Sequence, residues 1–179
     1  GIDPRQWLDL VANGTVVDIA PLEGENRALV KMGLQTIRAT RRQGLFSLIQ
    51  TSGIKIEQLN AGHLGFGIGP RLNAAGRMDS AQSAYELLTT KDLFRAGALA
   101  QQLDNYNLQR KDIMHAIQQK VITEANALDP NTPVIISVSE DYEEGVVGLA
   151  AGRVAESFYK PAIIGRLEDG SIKASCRTI

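Results

Sequence analysis

The sequence predicts an α/β chain, with a helical first half, one long helix and then the opening of a small α/β unit. Three observations carry this. Short helical patterns fill residues 1–90. Apolar residues then recur at helical spacing across 92–127, unbroken by proline. Beyond residue 131, two aliphatic runs (134–138 and 162–166) bracket a helical pattern, which is the order of a strand–helix–strand unit. At 179 residues and 19.4 kDa there is room for one domain, or two small ones, with a real core. Hydrophobic residues at 44% and charged residues at 22% exclude disorder, collagen and a disulfide scaffold. A net charge of −1 confines any nucleic-acid surface to a local patch. No apolar run nears the roughly 20 residues that span a bilayer, and no secretory leader pattern opens the chain. No membrane partner is therefore expected, and the expected location is the cytoplasm. Cys176 is the single cysteine, so no intrachain disulfide forms, and with two histidines it cannot build a structural zinc site.

Taken in order, Trp7–Ala12 reads as a short helix stopped by Asn13-Gly14, a pair that readily takes positive φ. Thr15–Ala20 is a buried strand or a helical turn, which so short a run does not distinguish. Residues 25–40 form a helix with Leu29, Met32 or Gly33, and Ile37 on one face, and residues 44–50 form another. Residues 60–70 place glycine or proline at nearly alternate positions, which predicts extended or looped backbone approached closely by a neighbour. A helix from about Ser80 to Leu88 follows. The helix at 92–127, about 50 Å long, carries a seam of Leu99, Leu103, Tyr106, Ile113 and Ile117, with polar residues including Gln101, Asp104 and Gln109 on its other faces. Val134–Val138 is expected as a buried strand, Gly145–Phe158 as a helix rich in small residues, and Ala162–Arg166 as a second strand. Glu168-Asp169-Gly170-Ser171 is a hairpin turn, and Ile172–Ile179 is a third strand.

Four groups could carry chemistry. Asp18 sits in the apolar run Thr15–Ile19; a buried carboxylate is costly unless capped, hydrogen-bonded or bound to a cation, so it is a core Asp or a hard-metal ligand. Arg71 and Arg77 flank small residues and Asn73, a pattern that suits bidentate phosphate binding; alternatively, each pairs with a carboxylate such as Asp79 or Glu86. Gly145-Val146-Val147-Gly148 enters a helix from a strand, so its small residues either cradle phosphate or permit close packing on the sheet. Ser175 and Arg177 share one face of a strand and Cys176 takes the other; the pair is a phosphate clamp or an ordinary solvent-facing strand.

Together, the stretches Gly14–Arg27, Gly69–Met78, Gly145–Gly148 and Ser175–Arg177 occur in the order typical of the RecJ family. RecJ proteins are single-strand-specific 5′→3′ DNA exonucleases of the DHH phosphoesterase superfamily, and the chain resembles them over nearly its whole length. The resemblance implies the C-terminal part of a DHH domain over 1–90, a connecting helix over 91–130 and the start of a DHH-associated domain over 131–179. It implies a middle fragment, with most ligands of a two-metal Mn²⁺ or Mg²⁺ site outside it and Asp18 as the one metal ligand within. It also implies that Arg71, Asn73 and Arg77 face the nucleic acid, Arg71 with a catalytic part, and that Ser175 and Arg177 hold a terminal phosphate. The expected partner is single-stranded DNA, with single-strand-binding protein or a helicase beside it. Where the family usually has an aromatic-His pair before its GVVG motif, this chain has Tyr142-Glu143. The alternatives are another DHH phosphoesterase, acting on short oligonucleotides or cyclic dinucleotides, and a non-catalytic nucleic-acid-binding or scaffold relative.

Overall fold

The computed structural model describes residues 3–179, which form two compact units that divide between Asn107 and Leu108. In the first unit, Asp3 caps a 3₁₀ turn at Pro4–Trp7, and helix α1 (Leu8–Val17) follows. Contrary to the stop expected at Asn13-Gly14, α1 runs through both residues. The reason is its packing on helix α2 (Gly24–Arg38): a Cβ on Gly33 would lie 2.3 Å from the Leu8 carbonyl oxygen and 2.4 Å from Ala12 Cβ. That close contact buries Ala12, Val30 and Ile37. Burying such side chains contributes on the order of 1.5–3 kcal/mol for each large one, more than the roughly 1 kcal/mol that a helical glycine costs. Thr15–Val17, left open between strand and helix, is therefore helical. The buried face of α2 is Val30, Gly33 and Ile37; Leu29 and Met32, expected inside, are exposed.

Helix α3 (Gln43–Thr51) packs on α6 (Gln82–Thr89) through Gly44, whose Cα faces the Leu87 carbonyl. The glycine-rich stretch departs most from expectation. It is not extended but continuously helical: one-turn α4 (Ala61–His63), a π turn (Leu64–Ile68) and α5 (Gly69–Met78). Asn60 and His63 close a capping box at its start. The close approach inferred from the glycines is present, since Cβ atoms on Gly67 and Gly69 would meet Ile54 and Val17 at 2.8 and 2.5 Å. Leu64 and Ile68, four residues apart, enter the core with Leu45, Leu48, Ile49 and Leu59, and that burial holds the stretch helical.

Helix α7 (Leu93–Asn126) has 34 residues and so runs about 51 Å. It begins in the first unit, burying Ala96, Leu99, Ala100 and Leu103, and ends in the second, burying Ile117 and Val121. Tyr106 and Ile113 of the expected seam are half-buried.

The second unit continues with β1 (Ile135–Ser139), α8 (Glu144–Phe158), β2 (Ala162–Glu168) and β3 (Ser171–Arg177). The sheet order is β1-β2-β3, with β1 and β2 parallel and β3 antiparallel to β2. Asp169 and Gly170, at φ 50° and 73°, form the two-residue hairpin. The α8 residues Val146, Val147, Ala150, Ala151, Val154 and Ala155 are buried. The expected buried strand at β1 is buried on one side only. Ile135 and Ser137 point inward, whereas Ile136 is 59% and Val138 36% exposed, on the face opposite the inward pair. No helix among the described residues is long and apolar enough to cross a membrane.

Candidate nucleic-acid interface

Asp18 is the residue after α1, and it is exposed. The desolvation penalty expected of a buried carboxylate is therefore absent, because the side chain leaves the packed stretch at the helix end. The backbone there closes a Schellman motif: Ile19 N–H donates to the Val16 carbonyl (3.1 Å) and Ala20 N–H to the Thr15 carbonyl (3.1 Å). Ile19 takes the left-handed position, at φ 58°, that glycine usually fills. A carboxylate at a helix C-terminus opposes the helix dipole, and a β-branched residue at positive φ is strained. Both unfavourable features meet at Asp18-Ile19. The Asp18 carboxylate has no hydrogen-bond or ion-pair partner among the described residues, and no three His, Cys, Asp or Glu side chains among them cluster closely enough to hold a metal.

One residue before Asp18, Val17 packs on the bare Cα of Gly69 and so brings the end of α1 against the start of α5. On α5, Asn73 and Arg77 are four residues apart, hence on one helix face. Both are exposed, while Ala74 and Ala75 are buried. Arg71 differs. It was expected either exposed beside Arg77 or buried against Asp79 or Glu86. It is largely buried, but against Asp104 of α7: Nε donates to Oδ1 at 2.7 Å, with the two side chains 15% and 16% exposed. Arg71 Nη1 also donates to the Gly67 carbonyl at 2.8 Å. The two expected acids have other partners. Asp79 accepts from the Tyr106 hydroxyl (3.2 Å), and Glu86 takes both arms of the Arg95 fork (2.5 and 2.6 Å). Arg95 thereby holds the Glu86 carboxyl below its ordinary 4.5. Asp104, read from sequence as one polar residue among many on α7, was missed. Its place beside buried Leu103, at the margin of the seam, was the available signal.

In the second unit, Ser175 and Arg177 project together toward α8 and meet at Gly148. A Cβ at that glycine would lie 3.2 Å from Ser175 Oγ and 3.5 Å from Arg177 Nη2. The glycine thus lets a hydroxyl and a guanidinium approach the α8 backbone side by side. Arg177 Nη1 donates to the Cys176 carbonyl (2.8 Å), and Cys176 is exposed. The acids at the start of α8 are paired: Glu144 with Lys173 at 3.1 Å and Glu143 with Arg166 at 3.8 Å. Tyr142, next to them, is buried. Its hydroxyl lies 2.8 Å from Ser137 Oγ, which donates to Glu124 at 2.6 Å, and Lys120 lies over its ring. These contacts fasten the loop between β1 and α8.

No family model matches the chain. Curated relatives do. The single-stranded-DNA-specific exonuclease RecJ of Bacillus subtilis is 36% identical over 178 residues, 98% of this chain and 23% of that protein. RecJ of Escherichia coli is 37% identical over 180 residues, 97% of this chain and 31% of that protein. The chain is similar to a segment of RecJ. The crystal structure of Thermus thermophilus RecJ with Mg²⁺ superposes with a TM-score of 0.87 at 35% identity, covering 98% of this chain and 27% of that one. A second structure of the same RecJ contains Mn²⁺ and superposes equally well, at 0.87. The α/β architecture, helical first half included, is thus that of RecJ. The chain spans about a quarter to a third of the length of these relatives.

Proposed function

We propose that this chain is part of a metal-dependent exonuclease that hydrolyses the phosphodiester bonds of single-stranded DNA from the 5′ end. The observation that carries the proposal is the convergence of Ser175 Oγ and Arg177 Nη2 on the bare helix backbone at Gly148. A hydroxyl and a guanidinium side by side suit a phosphate monoester at a strand terminus, since guanidinium–phosphate hydrogen bonds are charge-assisted. Similarity to the single-stranded-DNA-specific RecJ proteins supports this substrate class. In this reading residues 1–90 complete a DHH domain, 91–130 connect, and 131–179 open the DHH-associated domain.

Asn73 and Arg77 offer a polar and a cationic side chain to the strand's backbone. Asp18 fits a hard divalent cation, Mg²⁺ or Mn²⁺, because its carboxylate is exposed and has no partner among the described residues to displace. Such ions would supply Lewis acidity at the scissile phosphate. One carboxylate does not hold two ions, so the remaining ligands come from outside the described residues. The Arg177 guanidinium orients the terminal phosphate and offsets its charge. We place this activity in the cytoplasm, with single-strand-binding protein or a helicase presenting the strand.

The test is Asp18→Asn in the intact protein. Nuclease activity with Mg²⁺ or Mn²⁺ should fall at least a hundredfold while binding to single-stranded DNA persists. Undiminished cleavage would remove Asp18 from the metal site. An intact protein without nuclease activity in either metal would favour the non-catalytic alternative.

A further inference from the structure

We infer that Arg71 is a positioning residue, clamped by Asp104 of α7, and that this pair sets α5 so that Asn73 and Arg77 meet the nucleic acid. The inference rests on the proposal that α5 faces the strand. Arg71 itself is poorly placed to grip phosphate. A guanidinium forks onto phosphate through two neighbouring N–H groups. In this chain Nε is taken by Asp104 and Nη1 by the Gly67 carbonyl, so each bidentate edge already has one donor in use. Both members of the ion pair are largely buried, whereas Arg77 and Asn73 are exposed.

The pair joins three pieces of backbone. Gly67 belongs to the π turn, Arg71 to the first turn of α5, and Asp104 to α7, where Leu103 beside it is fully buried. π turns recur at functional sites and are otherwise rare; this one is fastened by the Arg71 side chain four residues on. A second tie holds the far end of α5, where Asp79 accepts from Tyr106 of α7 and Gln102 donates to the same hydroxyl at 2.9 Å. The helix that carries Asn73 and Arg77 is therefore fixed to α7 at both ends. Its N-terminal tie lies next to the Val17–Gly69 contact, one residue from Asp18.

The test measures single-stranded DNA affinity against salt for the intact protein and its Arg71→Ala, Asp104→Ala, Asp104→Asn, Arg71→Ala/Asp104→Ala and Arg77→Ala variants. Arg71→Ala and Asp104→Ala should each weaken binding on the order of tenfold, and the double variant no more than either single one, because all three break one pair. The salt slope should stay at the parent value in these three. Arg77→Ala should lower it by roughly one phosphate contact. Asp104→Asn, which keeps a hydrogen-bond acceptor, should recover most of the affinity; it also stands in where the alanine variants fail to fold. A lowered salt slope in Arg71→Ala, with Asp104→Asn and Asp104→Ala binding like the parent, would show a direct phosphate contact and overturn the inference. An Arg77→Ala variant with unchanged affinity and slope would overturn the nucleic-acid role of α5 instead, whatever the pair does.

Discussion

A methyl group at position 148 should separate the stability of the second unit from its proposed phosphate binding. Gly148 lies inside α8, where alanine is favoured over glycine by about 1 kcal/mol. The added Cβ would meet Ser175 Oγ at 3.2 Å, Arg177 Nη2 at 3.5 Å and Ser175 Cβ at 3.6 Å. The tightest of these contacts is with a hydroxyl that can swing about χ1, and the next with the far end of a flexible side chain. Gly148→Ala should therefore leave the melting temperature unchanged or raise it by a few degrees. The same methyl would press on the hydroxyl and the guanidinium and shift both from their present positions. Losing charge-assisted hydrogen bonds to phosphate costs about 1.5–3 kcal/mol, or about 10- to 150-fold. The assay compares kcat/KM on matched 5′-phosphorylated and 5′-hydroxyl single-stranded oligonucleotides, with melting curves alongside. The preference for the phosphorylated strand should fall by that factor. A retained preference with the methyl in place, or an equal fall on both strands, would refute phosphate binding by Ser175 and Arg177.

Four further variants probe the backbone, the packing and one surface ion pair. Ile19→Gly should raise stability by about 0.5–1 kcal/mol, since relief of a left-handed backbone (about 1–2 kcal/mol) exceeds the entropy cost of glycine (about 0.5–1). Ile19 is 88% exposed and loses little burial; a lower urea midpoint would contradict this. Gly44→Ala should destabilise by more than about 2 kcal/mol, because its Cβ would fall on the Leu87 carbonyl, while Gly97→Ala, with open space around it in α7, should gain about 1 kcal/mol in the same melting series. Arg95 depresses the Glu86 carboxyl, so that pair's stabilisation is present above the ordinary 4.5 and lost as pH falls through the lower folded value. Glu86→Gln should accordingly flatten part of the acid-side decline in stability, and salt should shrink the effect because the pair is exposed.

What the sequence determined by itself are the features that depend on near neighbours. The long helix was legible because its apolar spacing repeats over 34 residues with only Gly97 to weaken it. Asp169-Gly170 marked the hairpin, since few other pairs take positive φ twice in succession. The two-residue period of a strand put Ser175 and Arg177 on one face. Tertiary structure alone decided the rest. Asn13-Gly14 and the glycines of 60–70 lie in helices because Gly33, Gly67 and Gly69 let neighbouring elements approach to distances a Cβ would forbid, and the burial so gained exceeds local preferences of about 1 kcal/mol per residue. Asp18 is exposed because the packed part of α1 ends one residue earlier. Arg71 chose Asp104, 33 positions away, over the nearer Asp79 and Glu86. Which carboxylate a guanidinium reaches is set by how the helices pack, and no local pattern in the chain encodes that distance.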